Sequence, residues 1–509
     1  MDVTQILMLI TILVYLAAMV GIGAVLAKQN QTTDDFYLGG RTLGPLVTAM
    51  SAEASDMSSW LLMGLPGVAY LSGTADAAWT AIGLAIGTYV NWLVVAKRLR
   101  NYTHVCGNST TLPLFFSNRY RDNKRILSLI AALLIIIFFV PYTASGFAAC
   151  GKLFANLFGM DYLPAMLISA IVIVAYTTLG GFLAASTTDF VQSIVMTIAI
   201  VVVFGFGISK VGSFSAVMDN AKSMAGYFSL THTHDVATGT ASPYSLLQIF
   251  STLAWGLGYF GMPHVLLRFM AIGDANKLKL SRRVATVWVV ISMAVSVFIG
   301  VIGNAMTKAG VLPTLKDPET IILVVADLIS KHGVLATIIA GLILAGILAA
   351  TMSTADSQLL AASSSASQNI LKEVFMKDMS EKTGMLIARI TVLVIALIGV
   401  FIARNPDSSV FQIVSFAWAG FGASFGPLVL LALFWKRSTF QGALCGMVSG
   451  GVMVFVWKFL IRPMGGALGI YELLPAFLLG LAVNVIVSLL TPAPSREVQD
   501  EFDKVASMK

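Results

Sequence analysis

Four carboxylates lie inside apolar stretches of the sequence, where charged side chains are rare. They are Glu53, Asp56, Asp189 and Asp356. A charged side chain at the centre of a membrane helix costs about 2.5–3.5 kcal/mol on insertion scales, so an acid kept there usually binds an ion, moves a proton or contacts a substrate. The alternative for each acid is a structural pair or a position near a helix end.

Two of the apolar stretches contain residues that interrupt a helix. Residues 46–67 read LVTAMSAEASDMSSWLLMGLPG, and residues 255–264 read WGLGYFGMPH, with three Gly and one Pro. Irregular backbone inside a membrane is tolerated only against protein or a water-filled cavity, and it frees carbonyl oxygens for a ligand. Two broken helices five segments apart are typical of an inverted repeat that frames a binding site.

A third stretch is rich in hydroxyl groups. Residues 349–357 read AATMSTADS, and further serines follow at 363–367. A hard cation such as sodium binds several oxygens, and the adjacent hydroxyls of Ser353 and Thr354 can supply two of them. For residues 363–367 we favour the simpler interpretation, contact between helices through small residues.

The composition indicates what kind of element positions these groups. Of 509 residues, 57% are hydrophobic and 11% charged, against about 25% charged in an average soluble domain, and the mean hydropathy is +0.86. This excludes a water-soluble protein and predicts an all-α polytopic membrane protein. Three cysteines without a pairable spacing predict neither a disulfide nor a metal site, and the absence of catalytic motifs argues against an enzyme.

Apolar runs bounded by charged or turn-rich residues predict about 13 transmembrane helices. An odd number places the termini on opposite sides, and the dense Lys and Arg clusters near 97–100, 119–125 and 268–283 predict a cytoplasmic C-terminus and an external N-terminus. The predicted spans are 5–27, 44–72, 76–96, 126–150, 162–180, 184–208, 245–263, 284–307, 333–362, 385–403, 409–434, 440–460 and 473–491.

These spans group into six predicted parts. Residues 1–43 form an extra helix and an inner loop, and residues 209–244 form an outer loop. The two five-helix repeats are predicted at 44–208 and 245–434, followed by two C-terminal helices at 435–491 and a cytoplasmic tail at 492–509.

Several of these runs resemble the sodium/solute symporter family, and among its members the bacterial sodium/proline symporters most of all. The matching runs are LGGRTLGP at 38–45, SDMS at 55–58, GGFL at 180–183 with Asp189, WGLGYFG at 255–261, MST at 352–354 and WAGFG at 418–422. They extend in order over roughly residues 5–490. The resemblance implies an inverted five-helix repeat with a LeuT-like core, discontinuous helices at the site, and proline uptake driven by Na+.

The resemblance also implies roles for individual residues. It places a sodium site at the carbonyls of Ala54, Met57 and Ala350 with the hydroxyls of Ser353 and Thr354. Its proline pocket corresponds to Ser58, Tyr142, Trp255, Tyr259 and Pro263. Asp56 matches a position used for ion binding and coupling, and Arg41 matches an arginine on the inner side that is linked to coupling.

The chain departs from the proline transporters at several positions. It has Glu53 where they have Gly and Met262 where they have Gln, and Asp356 stands where relatives often have Ser. Two carboxylates close together in a medium of low dielectric constant share a proton or hold a cation. We therefore expect Asp189 and Asp356, with Ser357, to hold a second cation or a proton.

The predicted function is import of L-proline across the cytoplasmic membrane by a sodium-coupled symporter. Its partners are then a small amino acid, sodium ions and the lipid bilayer, with no nucleic acid. Two alternatives remain open at this point. One is transport of another small amino acid or carboxylate, with either sodium or protons as the coupling ion; the other is a receptor that binds solute without moving it.

Overall fold

The computed structural model describes residues 2–28, 32–376, 378–405 and 409–508. The first part of the chain is helical, because its apolar runs are long and free of polar breaks except at the sites discussed below. Its helices are α1 (Val3–Ala27), α2 (Thr33–Leu38), α3 (Pro45–Ser59), α4 (Leu65–Ser72), α5 (Thr74–Val90), α6 (Ala96–Val105), α7 (Leu112–Arg119), α8 (Ile126–Phe158), α9 (Tyr162–Val211) and α10 (Phe214–Ser223).

The second part begins with a short antiparallel hairpin in the loop after α10. The hairpin pairs β1 (His232–His234) with β2 (Ala241–Pro243). The remaining helices are α11 (Leu246–Leu253), α12 (Pro263–Ala271), α13 (Leu278–Lys308), α14 (Ile321–Ser330), α15 (Val334–Ser364), α16 (Glu381–Ala403), α17 (Val410–Phe434), α18 (Phe440–Val456), α19 (Leu473–Leu490) and α20 (Arg496–Ser507).

The helices form a bundle that has a membrane protein's distribution of apolar residues. Within the described residues, 10 helices are long and apolar enough to cross a membrane. The outer faces of the bundle carry exposed large apolar side chains, such as Leu13, Ile171 and Leu397, which a bilayer would cover. The coarse prediction of a polytopic helical membrane protein is therefore confirmed.

Some predicted boundaries differ from the observed ones. The element α9 consists of two helical segments that meet at Gly181, where φ is +66°, between the predicted spans 162–180 and 184–208. A left-handed residue interrupts the helical path, and glycine adopts that conformation without a steric penalty. The span predicted at 126–150 continues to Phe158, and the predicted tail contains the helix α20.

Both predicted interruptions are present. The first follows α3, where Ser58 has φ +45° and ψ −173° and a wide helical turn at Trp60–Gly64 leads into α4. The second is a tightly wound 3-10 stretch at Ala254–Gly261, which separates α11 from α12. Pro263 then begins α12, because proline lacks the N–H that the first turn of a helix leaves unbonded.

The site lies where α3 and the first break pack against the largely buried helix α15. α15 packs against α3, α8 and α9, and the stretch at Ala254–Gly261 packs against α5 and α17. All of α15 from Ile343 to Ser364 is buried. The breaks therefore lie inside protein, as their unsatisfied backbone groups require.

Close contact between backbones in this region depends on glycine. A Cβ atom at Gly256 would overlap the carbonyl oxygen of Gly83 and lie 3.2 Å from Cα of Gly87. These two glycines are on α5, so the second break lies directly against that helix without intervening side chains. Backbone atoms cannot move aside as a flexible side chain can.

We therefore expect Gly256→Ala to destabilise the protein, since overpacking of a dense interior typically costs about 1–3 kcal/mol. Thermal unfolding in detergent measures the effect. Gly205→Ala is the matched control, because no atom lies within 4 Å of a Cβ at that helical position. Equal unfolding midpoints for the two variants would contradict this account of the packing.

Candidate functional site

A group of buried oxygens joins α3 to α15. The Ser353 hydroxyl donates to the carbonyl oxygen of Ala54 over 2.8 Å and approaches that of Ala350 at 3.2 Å, and the Thr354 hydroxyl donates to Ala350 over 3.0 Å. All four residues are buried. The structure thus brings together four of the five residues expected to bind sodium, and these oxygens belong to uncharged groups.

The fifth residue lies at the break itself. Met57 is buried, and its carbonyl oxygen accepts from the backbone N–H of Trp60. Ser58 follows it in the left-handed region, and its hydroxyl accepts from the same Trp60 N–H over 3.0 Å. The Met57 carbonyl is therefore held in the irregular turn beside the group formed by Ala54 and Ser353.

Asp56 lies between the two broken helices. Its Oδ2 accepts a hydrogen bond of 2.7 Å from the hydroxyl of Tyr259, in the second break. The Tyr142 hydroxyl on α8 donates to the Asp56 carbonyl oxygen over 3.1 Å. Oδ1 of Asp56 is buried and has no hydrogen-bond partner among the described residues, so this carboxylate keeps one oxygen for a ligand.

Trp255 belongs to a cluster of aromatic rings at the first break. Its ring centroid lies 5.6 Å from Trp60, 5.5 Å from Phe411 and 5.0 Å from Tyr471, and the Trp418 indole donates to its carbonyl oxygen over 2.7 Å. A cavity of about 290 Å³ is lined by Trp255, Phe411 and Tyr471 among others. Trp255 therefore connects this cavity with Trp60 at the first break.

Pro263 lies at the other end of the second break. It is buried at the first position of α12, two residues from the end of the 3-10 stretch that carries Tyr259. The structure thus brings Tyr142, Tyr259 and Ser58 close to Asp56, whereas Trp255 and Pro263 mark the two ends of the break.

Asp189 and Asp356 lie in one buried polar cluster together with Arg268. The Asp189 Oδ2 atom accepts from the Ser51 hydroxyl over 2.6 Å and from Arg268 over 3.1 Å. Arg268 also donates to Ser357, whose hydroxyl lies 3.3 Å from Asp356 Oδ1. Within the described part of the chain, one oxygen of each acid, Oδ1 of Asp189 and Oδ2 of Asp356, is buried without a partner.

The position of Arg268 corrects the sequence analysis. The span predicted at 245–263 ended before Arg268 and counted it among the basic residues of an inner loop, yet its side chain is only 1% exposed within α12. The sequence signal was present: residues 263–271 read PHVLLRFMA, an apolar run with a single cation. A buried carboxylate elsewhere in the chain stabilises that cation, and local sequence does not indicate which one.

His264 is a second residue near Asp56 that was not among the predicted site residues. It is fully buried, its Nε2 lies 4.0 Å from Asp56 Oδ1, and its ring contacts Phe139. Both ring nitrogens are without hydrogen-bond partners in the residues described. The imidazole therefore forms part of the wall next to the open oxygen of Asp56.

Glu53 lies one helical turn before Asp56 and faces a different helix. Its Oε1 accepts from the indole N–H of Trp92 over 2.9 Å, and its side chain is buried. Trp92 contacts Phe269 of α12 with ring centroids 4.4 Å apart. The acid that replaces the expected glycine is thus part of the packing between α3, the end of α5 and α12.

Arg41 lies away from this centre, before the start of α3. It donates to the carbonyl oxygens of Met270 over 2.6 Å and Ser109 over 2.7 Å. Next to it, the Leu43 N–H donates to the Ala271 carbonyl over 3.2 Å. Arg41 therefore ties the beginning of the first broken helix to the end of the second.

Comparison with known proteins identifies the family that shares this sequence and fold. The model of the sodium:solute symporter family matches residues 36–450. The chain is 41% identical over 500 residues to the sodium/proline symporter of Escherichia coli (strain K12), covering 97% of this chain and 95% of the relative. It is 42% identical over 482 residues to the high-affinity proline transporter PutP of Bacillus subtilis (strain 168), covering 95% and 98%.

Two further comparisons agree. The osmoregulated proline transporter OpuE of Bacillus subtilis (strain 168) is 40% identical over 489 residues, covering 96% of each chain. The solved structure of a Na+-coupled sialic acid symporter in a substrate-bound outward-open state superposes with a TM-score of 0.79 at 19% identity, covering 96% of this chain and 99% of that one. The fold is therefore shared at low identity, and the sequence match to the transporters spans nearly the whole chain. The chain belongs to the sodium:solute symporter family.

Proposed function

We propose that this protein is a sodium-coupled secondary active symporter that imports L-proline across the cytoplasmic membrane by alternating access. The observation that carries the proposal is the pairing of two sites across the same break: the oxygens of Ser353 and Ala54 lie next to Asp56, which contacts Tyr259. The names of the full-length relatives, sodium/proline symporter and proline transporter, support the same ion and solute.

The chemistry of the oxygens favours sodium. A monovalent hard cation is stabilised by several neutral oxygens and needs little compensating charge. Ala54, Met57 and Ala350 would contribute carbonyls, and Ser353 and Thr354 hydroxyls. The two hydroxyls donate their hydrogens to two of these carbonyls, and their oxygen lone pairs would remain available to an ion.

The surroundings of Asp56 suit a small cyclic amino acid. Aromatic rings bury a compact apolar ring favourably, and the rings of Tyr142 and Tyr259 are both fully buried next to Asp56. The open Oδ1 of Asp56 supplies one negative charge, which can stabilise either the sodium ion or the ammonium group of the solute. Ser58 and Pro263 complete the proposed pocket.

The membrane potential is sufficient to drive the process. One elementary charge that crosses about 100 mV gains roughly 2.3 kcal/mol. Since about 1.4 kcal/mol corresponds to a factor of ten, one sodium ion per solute supports a gradient of about fifty-fold before the sodium gradient is counted.

The proposed topology follows the sequence prediction. The broken helices and both halves of α9 would also cross the membrane, giving 13 spans with the inverted repeat at 44–208 and 245–434. The N-terminus would be outside and the C-terminus cytoplasmic. The loop at 209–244 would lie outside, and the two helices at 435–491 would lead to a cytoplasmic tail at 492–509. Basic clusters, including Arg119 and Arg121, would then lie on the inner side.

The test is uptake of labelled L-proline into proteoliposomes under an inward sodium gradient, with a potassium gradient of equal size as the control. Uptake should require sodium and increase with an interior-negative potential. Counterflow of labelled proline separates a transporter from a receptor, because a receptor binds solute without exchange. A panel of unlabelled amino acids and carboxylates identifies the preferred solute, and loss of the sodium requirement would overturn the coupling assignment.

We further propose that Asp189, Asp356 and Ser357 hold a second cation or a proton, since each acid has a buried oxygen without a partner in the described residues. If a second sodium ion binds there, the sodium dependence of uptake has a Hill coefficient above one. Asp356→Ser should then preserve uptake while lowering that coefficient toward one. If a proton is shared instead, the coefficient is near one in both proteins and Asp356→Ser flattens the response to internal pH. A variant unchanged in rate, coefficient and pH profile would show that the acid is structural.

A further inference from the structure

The buried Arg268 connects four helices at one point. From α12 it donates to the Ser51 hydroxyl on α3 over 3.0 Å, to Asp189 on α9 over 3.1 Å and to Ser357 on α15 over 2.5 Å. Its guanidinium carbon also lies 4.9 Å from the ring centre of Phe182. This side chain lies in the helix that follows the second break.

We call Arg268, Ser51, Asp189 and Ser357 the junction. The positive charge of Arg268 determines which groups can pair with it there. A buried guanidinium requires an anionic partner and hydrogen-bond acceptors, and removing one member of such a pair leaves an uncompensated charge. Asp189 supplies the charge, and Ser51 both accepts from Arg268 and donates to Asp189. Loss of any one of these bonds would therefore leave a buried charge or hydroxyl less well paired.

The junction lies one helical turn from the proposed sodium site on two of the helices. On α3, Ser51 precedes Ala54 by three positions, and on α15, Ser357 follows Thr354 by three. In the proposed orientation α3 begins on the cytoplasmic side, and α12 and α15 end there. The junction is then on the cytoplasmic side of the site, across the same interface between α3 and α15 that Ser353 and Ala54 span.

We propose that Arg268 is a positioning residue that closes the cytoplasmic side of the site, and that its bonds to Ser51, Asp189 and Ser357 must break before the site opens inward. This inference rests on the proposed function. Movement of the short helix α12 away from α9 and α15 separates the atoms that Arg268 joins. A sodium ion bound between α3 and α15, one helical turn from the junction, stabilises the closed arrangement.

The experiment measures access from the cytoplasmic side. The exposed Cys445 is first replaced by serine, since Cys106 and Cys150 are buried, and Thr48→Cys is introduced. Thr48 is fully buried on α3, one turn below Ser51. In inside-out vesicles without sodium or solute, a membrane-impermeant maleimide should label this cysteine several-fold faster when Arg268→Gln is added. Arg283→Gln, which removes an exposed arginine, is the matched control.

Two milder variants keep the test decisive if Arg268→Gln does not fold. Ser357→Ala removes one bond of the junction and should raise the labelling rate by a smaller factor, and Arg268→Lys should restore part of the closure. Unchanged labelling in folded Arg268→Gln, or in both milder variants, would overturn the proposal. Failure of the proposed function is a separate result: the parent protein would then show no sodium-dependent uptake, whatever the labelling rates.

Discussion

Replacing Ser353 and Thr354 together by alanine is expected to raise the sodium concentration for half-maximal binding at least tenfold while the protein stays folded. The change removes two of the five proposed oxygen ligands. A hydrogen-bonding contact to a charge is worth about 1.5–3 kcal/mol, and about 1.4 kcal/mol corresponds to a factor of ten. Buried between α3 and α15, the lost oxygens are not easily replaced by water.

Sodium titration of intrinsic tryptophan fluorescence measures this effect, because Trp60 and Trp255 lie close to the first break. Ser363→Ala with Ser364→Ala is the matched control. These two hydroxyls lie on the same helix and donate to the carbonyl oxygens of Leu360 and Ala361. Like Ser353 and Thr354, they bond to carbonyls of their own helix, but neither of these bonds reaches α3. An unchanged half-saturation in the Ser353 and Thr354 variant would contradict the assignment of the sodium site.

Replacement of Tyr259 or Trp255 by alanine is expected to weaken the binding of proline more than that of sodium. Burial of an apolar ring against aromatic side chains contributes on the order of 1–3 kcal/mol, so the apparent solute constant should rise at least several-fold. Tyr259→Phe separates the two roles of the tyrosine. It keeps the ring and removes the 2.7 Å hydrogen bond to Asp56. A hydrogen bond to a charged partner contributes about 1.5–3 kcal/mol.

Equilibrium binding of labelled proline at saturating sodium, together with uptake rates, distinguishes binding from gating. Tyr120→Phe is the control for a tyrosine hydroxyl, since Tyr120 is buried and pairs with Ser438 at 2.8 Å rather than with a residue of the proposed pocket. If uptake falls in the Trp255 and Tyr259 variants while the solute constant stays the same, these residues gate the site and do not bind the solute.

The helices and their breaks could be predicted from the sequence, because both depend on local chemistry. Long apolar runs exclude water and form helices, which satisfy their own backbone hydrogen bonds. Glycine and proline at 255–263 and the polar residues at 51–58 weaken a continuous helix where they stand. The adjacent hydroxyls of Ser353 and Thr354 likewise marked an oxygen-rich turn before any contact was known.

Which of these groups meet was decided by the tertiary structure. Tyr259 and Asp56 are 203 positions apart, and Ser353 and Ala54 are 299 positions apart. An apolar run indicates that a segment is buried or faces lipid, but not which neighbour covers it. The burial of Arg268 illustrates the limit. Its local sequence placed it at the edge of a loop, and only the packing of α12 against α3, α9 and α15 supplied the carboxylate and hydroxyls that make a buried guanidinium stable.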